Sequence, residues 1–151
     1  MLENINSEYF ILARNGSAVY ASNELSIGLV ELNKLTTYVK ASNTDPNDYM
    51  GYSVTLSDDG STLAVGAFRD ASNATGVNGN PFDNSMTNAG SVFIYRYDGS
   101  NWYQQAYIKA SNTESGDQFG RAVSISSDGN TLAVAAPRER SNTAGINGNE
   151  S

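Results

Sequence analysis

The chain of 151 residues contains no cysteine and no histidine. Disulfides, thiolate nucleophiles and Cys/His zinc sites are therefore excluded. A Ser-His-Asp triad is excluded for the same reason. The cysteine count leaves the redox compartment open. Basic residues are scarce, 9 Lys+Arg against 16 Asp+Glu, for a net charge of −7. Nucleic acid and anionic membrane surfaces repel such a chain, so neither is expected as a partner. Only 17% of residues are charged, and Asn, Ser, Thr and Gly carry the polarity instead. That composition suits turn-rich β structure and disfavours long helices. No run approaches the roughly 20 apolar residues of a membrane span. The opening MLENINSEYF lacks a basic start and a long apolar run, so no signal peptide is read in this segment.

What the chain does have is one sequence written twice. Tyr38–Asn80 and Tyr107–Asn149 align end to end without a gap, and more than half their positions are identical. A repeat at fixed spacing marks one supersecondary unit copied along the chain, each copy burying its core against its neighbours. The second copy stops partway through its period, which leads us to expect a fragment of a longer array.

Within the first copy, strand-like runs alternate with turn signals. Tyr52–Ser57 alternates, with Val54 and Leu56 on one face, and Asp59-Gly60 is a hairpin pair. Thr62–Ala67 is apolar on both faces but built of small residues, which suits a strand squeezed between sheets. A long polar loop, Phe68–Asn88, follows. Gly90–Tyr97 is β-branched and aromatic, Asp98-Gly99 marks a turn, and Asn101–Lys109 reads as a fourth strand. Sequential strands usually neighbour one another, so an antiparallel meander is expected. The second copy offers Arg121–Ser126, the turn Asp128-Gly129 and Thr131–Ala136. Val54, Leu56, Leu63, Val65, Val92 and Ile94 should form the core, with counterparts Val123, Ile125, Leu132 and Val134. In the N-terminal part, Tyr9–Ala13 and Ser17–Ala21 flank Asn15-Gly16 and read as a hairpin, while Asn23–Leu35 is ambiguous.

Each copy carries an aromatic or apolar residue before Gly, an alternating strand, an Asp-Gly turn and an apolar strand ending in small residues. The instances are Met50-Gly51 with Val65-Gly66-Ala67, and Phe119-Gly120 with Val134-Ala135-Ala136-Pro137; an AGSVFIY strand follows in the first copy. This pattern resembles the FG-GAP repeat of integrin-α-like β-propellers, in the form found in bacterial surface and secreted proteins. The resemblance implies an all-β fold of four-stranded antiparallel blades: about one complete blade and part of a second, as a fragment of a propeller. It divides the chain into an N-terminal β segment (1–37), a first repeat (38–106) and an incomplete second repeat (107–151). Residues 1–37 would be a divergent preceding blade or the end of an upstream domain. Calcium-binding members of the family carry an Asp/Asn-rich loop between the first two strands. Here the equivalent turns, Asp58–Gly60 and Asp128–Gly129, are too short and too poor in carboxylates for calcium's six to eight oxygens.

Several groups remain as candidate sites. The loop Phe68–Asn88 holds Asp70, Asn78, Asn80 and Asp83, oxygens that would suit calcium; turn-forming Asn and Gly chemistry is the favoured reading of them. No other cofactor is expected. Its second-copy partner holds Glu139, Asn142, Asn147 and Asn149. Lys40–Thr44 and Lys109–Thr113 read as connectors between blades, with a ligand-binding rim as the rival reading. Asp48 and Asp117 read as turn caps, or as a carboxylate site. Phe93, Tyr95, Tyr97, Trp102, Tyr103 and Tyr107 read as packing residues, or as a sugar-stacking surface. Asn15-Gly-Ser17, Asn73-Ala-Thr75 and Asn149-Glu-Ser151 fit the glycosylation pattern, which so Asn-rich a chain produces by chance.

The expectation is a non-enzymatic binding or adhesion module, extracellular or on a cell surface, holding a protein or glycan ligand at a propeller rim. The alternatives are an accessory propeller of a secreted hydrolase and a purely structural spacer.

Overall fold

A computed structural model describes residues 38–141, together with the backbone of residues 8–9, 12–15, 18–21 and 25–26. The chain divides into two compact units, Met1–Tyr38 and Val39–Ser151. In the first, β1 (Glu8–Tyr9) pairs antiparallel with β4 (Leu25–Ser26), and β2 (Leu12–Asn15) with β3 (Ala18–Ala21). The β2–β3 pair flanks Asn15-Gly16, where the sequence placed a hairpin. Most of the ambiguous segment 23–35 lies outside the described residues, as do Asn142, Asn147 and Asn149.

The second unit is built on one four-stranded antiparallel sheet, in the order β5 (Met50–Leu56), β6 (Thr62–Ala67), β7 (Ser91–Tyr97), β8 (Trp102–Ile108). β6 and β8 coincide with the apolar and aromatic runs of the sequence. β5 begins two residues earlier than the alternation suggested, because Met50 pairs with Ala67 across a bulge ahead of Ser53. The second copy supplies an antiparallel hairpin, β9 (Ala122–Ile125) and β10 (Leu132–Ala135). The described residues contain no helix.

Antiparallel register fixes which residues share a face. One face of the sheet presents Leu63, Val65, Phe93, Tyr95 and Tyr107, covered by Val39, Ala41, Met50 and Ala74. The other presents Ala64, Val92 and Ile94, against which Phe119, Val123, Leu132 and Val134 of the second copy pack. β6 is thus buried on both sides, and its small residues are what let a second sheet approach. At Gly66 a Cβ would collide with the Gly120 carbonyl oxygen and with the Ser53 hydroxyl. Instead the Ser53 hydroxyl donates to that carbonyl at 2.7 Å. The two Asp-Gly turns also meet, Asp58 N–H donating to the Ser127 carbonyl at 3.0 Å.

The core expectation needs correcting at one edge. Val65, Val92 and Ile94 are buried, but Val54 is 58% and Leu56 51% exposed. They lie on the same face as Leu63 and Val65, on the edge strand β5, where the covering loop does not reach. Leu63, Val123, Ile125, Leu132 and Val134 are half-buried.

Candidate functional site

The long loop after β6 is anchored by a buried charge. Asp70 follows Phe68-Arg69 directly after the strand and is 1% exposed. Its carboxylate pairs with the Lys109 ammonium at 3.3 Å and accepts from the Tyr107 hydroxyl (2.9 Å), the Asn43 amide (2.8 Å) and the Ser72 N–H (3.0 Å). Burying a charge is tolerable only with such partners. Burial lowers the Lys109 pKa, against the pull of Asp70, and burial raises that of Tyr107. Lys109 is the repeat counterpart of Lys40, so the cation opening the second sequence copy neutralises the acid of the first. Part of the arrangement recurs in the second copy, where the Asn112 amide donates to Glu139 at 3.1 Å.

The other three residues considered for calcium have separate tasks. Asn78 Oδ1 accepts the Tyr107 N–H at 3.0 Å, Asn80 Oδ1 accepts the Phe82 N–H at 3.1 Å, and Asp83 accepts the Ser85 N–H at 3.0 Å. Among the described residues, no group of three acidic side chains is placed to hold a metal ion. In the turns, the Asp59 carboxylate accepts from Ser57 and Ser61, which hold its pKa down at about 2. Asp128 repeats this with Ser126 and Asn130.

The connectors are built alike. Thr44 donates to the Ala41 carbonyl and Thr113 to the Ala110 carbonyl, each at 2.9 Å. Asp48 accepts the Asp45 N–H and Asp117 the Glu114 N–H, so both carboxylates cap the turn before the Gly. Tyr49 and its counterpart Gln118 both adopt left-handed backbone, φ 57° and 61°. A bulky residue there is strained, and such strain collects at functional positions.

Tyr49 takes part in a ladder of rings and guanidiniums. Arg69 lies 4.5 Å above the Tyr49 ring and 5.5 Å from Phe68; Arg121 lies 4.9 Å from Phe68 and 5.1 Å from Tyr52. The Tyr52 and Phe68 rings are 4.5 Å apart. Tyr49 and Tyr52 are about half exposed, whereas Phe68 is buried beneath them. Arg69 also borders an open cavity of about 380 Å³ lined by Asp45, Pro46, Asn47, Asp48, Ala71, Asn84, Thr87 and Asn88. On its wall, burial and the charge of Asp70 push the Asp48 carboxyl up to about 6. The ladder escapes a reading of the sequence because its members come from three separated stretches. The aromatic set that the sequence did single out divides. Phe93 and Tyr107 meet in the core at 5.2 Å, while Tyr97 and Trp102 stack at 5.5 Å beside the Asp98 turn.

Comparison with known proteins agrees with this architecture. No curated protein and no solved structure matches the chain. The model of one family, the FG-GAP repeat, matches residues 102–149. The match starts at the first residue of β8 and runs through the second hairpin, across the junction between sheet and stacked copy. Residues 102–149 thus match the FG-GAP repeat, a propeller-type unit, and Tyr38–Asn80 repeats most of the matched sequence one copy earlier.

Proposed function

We propose that the chain is a non-enzymatic binding or adhesion module, working outside the cell or at its surface, with a protein or glycan ligand held where adjacent repeats meet. The observation that carries this reading is the ladder Tyr49–Arg69–Phe68–Arg121–Tyr52 beside the open cavity. Aromatic and arginine side chains on a rigid scaffold supply most of the energy in recognition surfaces. The absence of His and Cys from the chain removes the commonest catalytic bases and nucleophiles. No helix among the described residues is long and apolar enough to cross a membrane.

The test is an array of glycans and extracellular proteins probed with the chain and with an Arg69→Ala, Tyr49→Ala variant. The reading expects saturable binding that weakens by roughly tenfold, about 1.4 kcal/mol, in the variant. Equal signals from both proteins, or none, would reject it. The accessory-hydrolase reading draws support from Asp48, a carboxyl pushed up to about 6 by burial beside a cavity. It requires hydrolysis that Asp48→Asn abolishes. A structural spacer would show neither binding nor hydrolysis.

A further inference from the structure

Around the ladder the acids and the arginines are satisfied differently. Asp45 accepts the Asn84 amide at 2.8 Å, Asp48 the Asp45 N–H at 3.3 Å, and Asp117 the Glu114 N–H at 2.9 Å. Each carboxylate therefore has a donor within the chain. Among the described residues, neither Arg69 nor Arg121 forms an ion pair. The Arg69 guanidinium donates to no acceptor there, and that of Arg121 only to Gln118 Oε1 at 3.3 Å. Rings hold the two cations instead. Both lie over the single Phe68 ring, at 5.5 and 4.9 Å. Stacking fixes the plane of a guanidinium and leaves its N–H edge open to an acceptor. In a chain with 9 Lys+Arg against 16 Asp+Glu, two cations gathered on one ring without a counter-charge make a local site for an anion.

We propose that Arg69 and Arg121 are a carboxylate-binding pair for an acidic glycan, a chain of uronic acid residues, whose sugar rings lie against Tyr49 and Tyr52. The proposal rests on the reading of the chain as a glycan-binding module and names the charge of what it holds. The planar fork of each guanidinium matches a carboxylate through two parallel hydrogen bonds. Two such forks over one ring suit acids carried on neighbouring residues of one ligand. The surroundings favour a sugar as the carrier. Tyr49 and Tyr52 are 48% and 52% exposed, and offer flat apolar contact with a polar tip. The adjoining cavity is lined by Asn47, Asn84, Thr87 and Asn88, whose amides and hydroxyl are the donors and acceptors that sugar hydroxyls need.

Calorimetric titration of the whole chain tests this with three probes of equal length: oligogalacturonate, its methyl ester and oligoglutamate. The acid glycan should bind about tenfold more tightly than the uncharged ester or the equally charged peptide. An Arg69→Lys, Arg121→Lys chain keeps both charges but loses both forks, and should bind the acid glycan about tenfold more weakly than the parent. Equal binding of acid and ester would overturn the proposal, because the carboxylates would then go unread. Peptide bound as tightly as glycan would overturn it as well, since charge alone would be recognised. So would a lysine variant equal to the parent. The comparison of acid with ester uses only the parent chain, so it decides the matter even if the variant misfolds. Binding of a neutral glycan without binding of galacturonate would overturn this inference and leave the module reading standing. Silence toward every glycan and protein would reject both.

Discussion

Arg121 lies over the ring of Tyr52, its own counterpart one repeat earlier, at 5.1 Å. Equivalent positions of successive copies therefore become neighbours at the start of β5 and β9. A difference between copies, here an aromatic against a cation, becomes an attractive pair. The repeats are held together by where they differ as well as by where they agree.

The Asp70–Lys109 pair should control the stability of the second unit. Lys109→Met removes one partner and leaves the Asp70 charge buried among Tyr107, Asn43 and Ser72. Breaking such a pair costs about 3–5 kcal/mol. Urea unfolding should show that loss, and should show a smaller one for Asp70→Asn with Lys109→Met, which removes both charges. A single variant within about 1 kcal/mol of the parent, well below that cost, would contradict the buried geometry.

Gly66→Ala should separate the copies. The added Cβ meets backbone at Gly120 and the Ser53 hydroxyl, so the hairpin β9–β10 must shift. Overpacking of this kind costs about 1–3 kcal/mol. Hydrogen exchange is expected to rise at β9 and β10 while the amides between β7 and β8 stay protected. Unchanged exchange in β9 would show that the hairpin is not seated on Gly66.

Asp48 should make stability depend on pH, with a sign set by its burial. Its carboxyl titrates at about 6 in the folded chain against an ordinary 3.8, because burial and Asp70 disfavour its charge. The folded state therefore binds more protons between these values, and stability from this group is full below about 4 and lost as pH rises through about 6. The hydrogen-bonded carboxylates Asp59, Asp83, Asp98, Asp128 and Glu139 have lowered pKa values and act oppositely, at lower pH. Asp48→Asn should flatten the fall in stability between pH 4 and 7 measured by thermal unfolding. Identical slopes in both proteins would rule out a raised Asp48.

Much of this architecture is legible in the sequence, and the reason is local. The strands β7 and β8 are written in runs of β-branched and aromatic residues, β6 in small apolar ones, and the Asp-Gly turns in residues whose side chains cap their own backbone. The exposed edge at Val54 and Leu56 is not legible, since alternation tells which residues share a face but not what lies opposite it. The partner of Asp70 is equally hidden. Lys109 opens the second sequence copy, and nothing near it in the chain says that it turns back toward the first. Arg69 looks like an ordinary loop cation until folding brings Tyr49 beneath it.

Calcium provides a further check on the long loop. With Asp70 neutralised by Lys109 and Asp83 engaged by Ser85, millimolar calcium should leave the melting temperature where EGTA leaves it. A rise of several degrees, abolished by Asp70→Ala with Asp83→Ala, would mean that the loop rearranges around an ion.

The sheet β5–β8 closes at Ile108, one residue before Lys109, although the second copy of the sequence already begins at Tyr107. The unit of copying and the unit of folding are thus out of step. The first copy draws the cation for its buried acid, and the end of its last strand, from the second. Cut along its sequence boundaries, that copy would lose both the charge that neutralises Asp70 and the close of its own sheet.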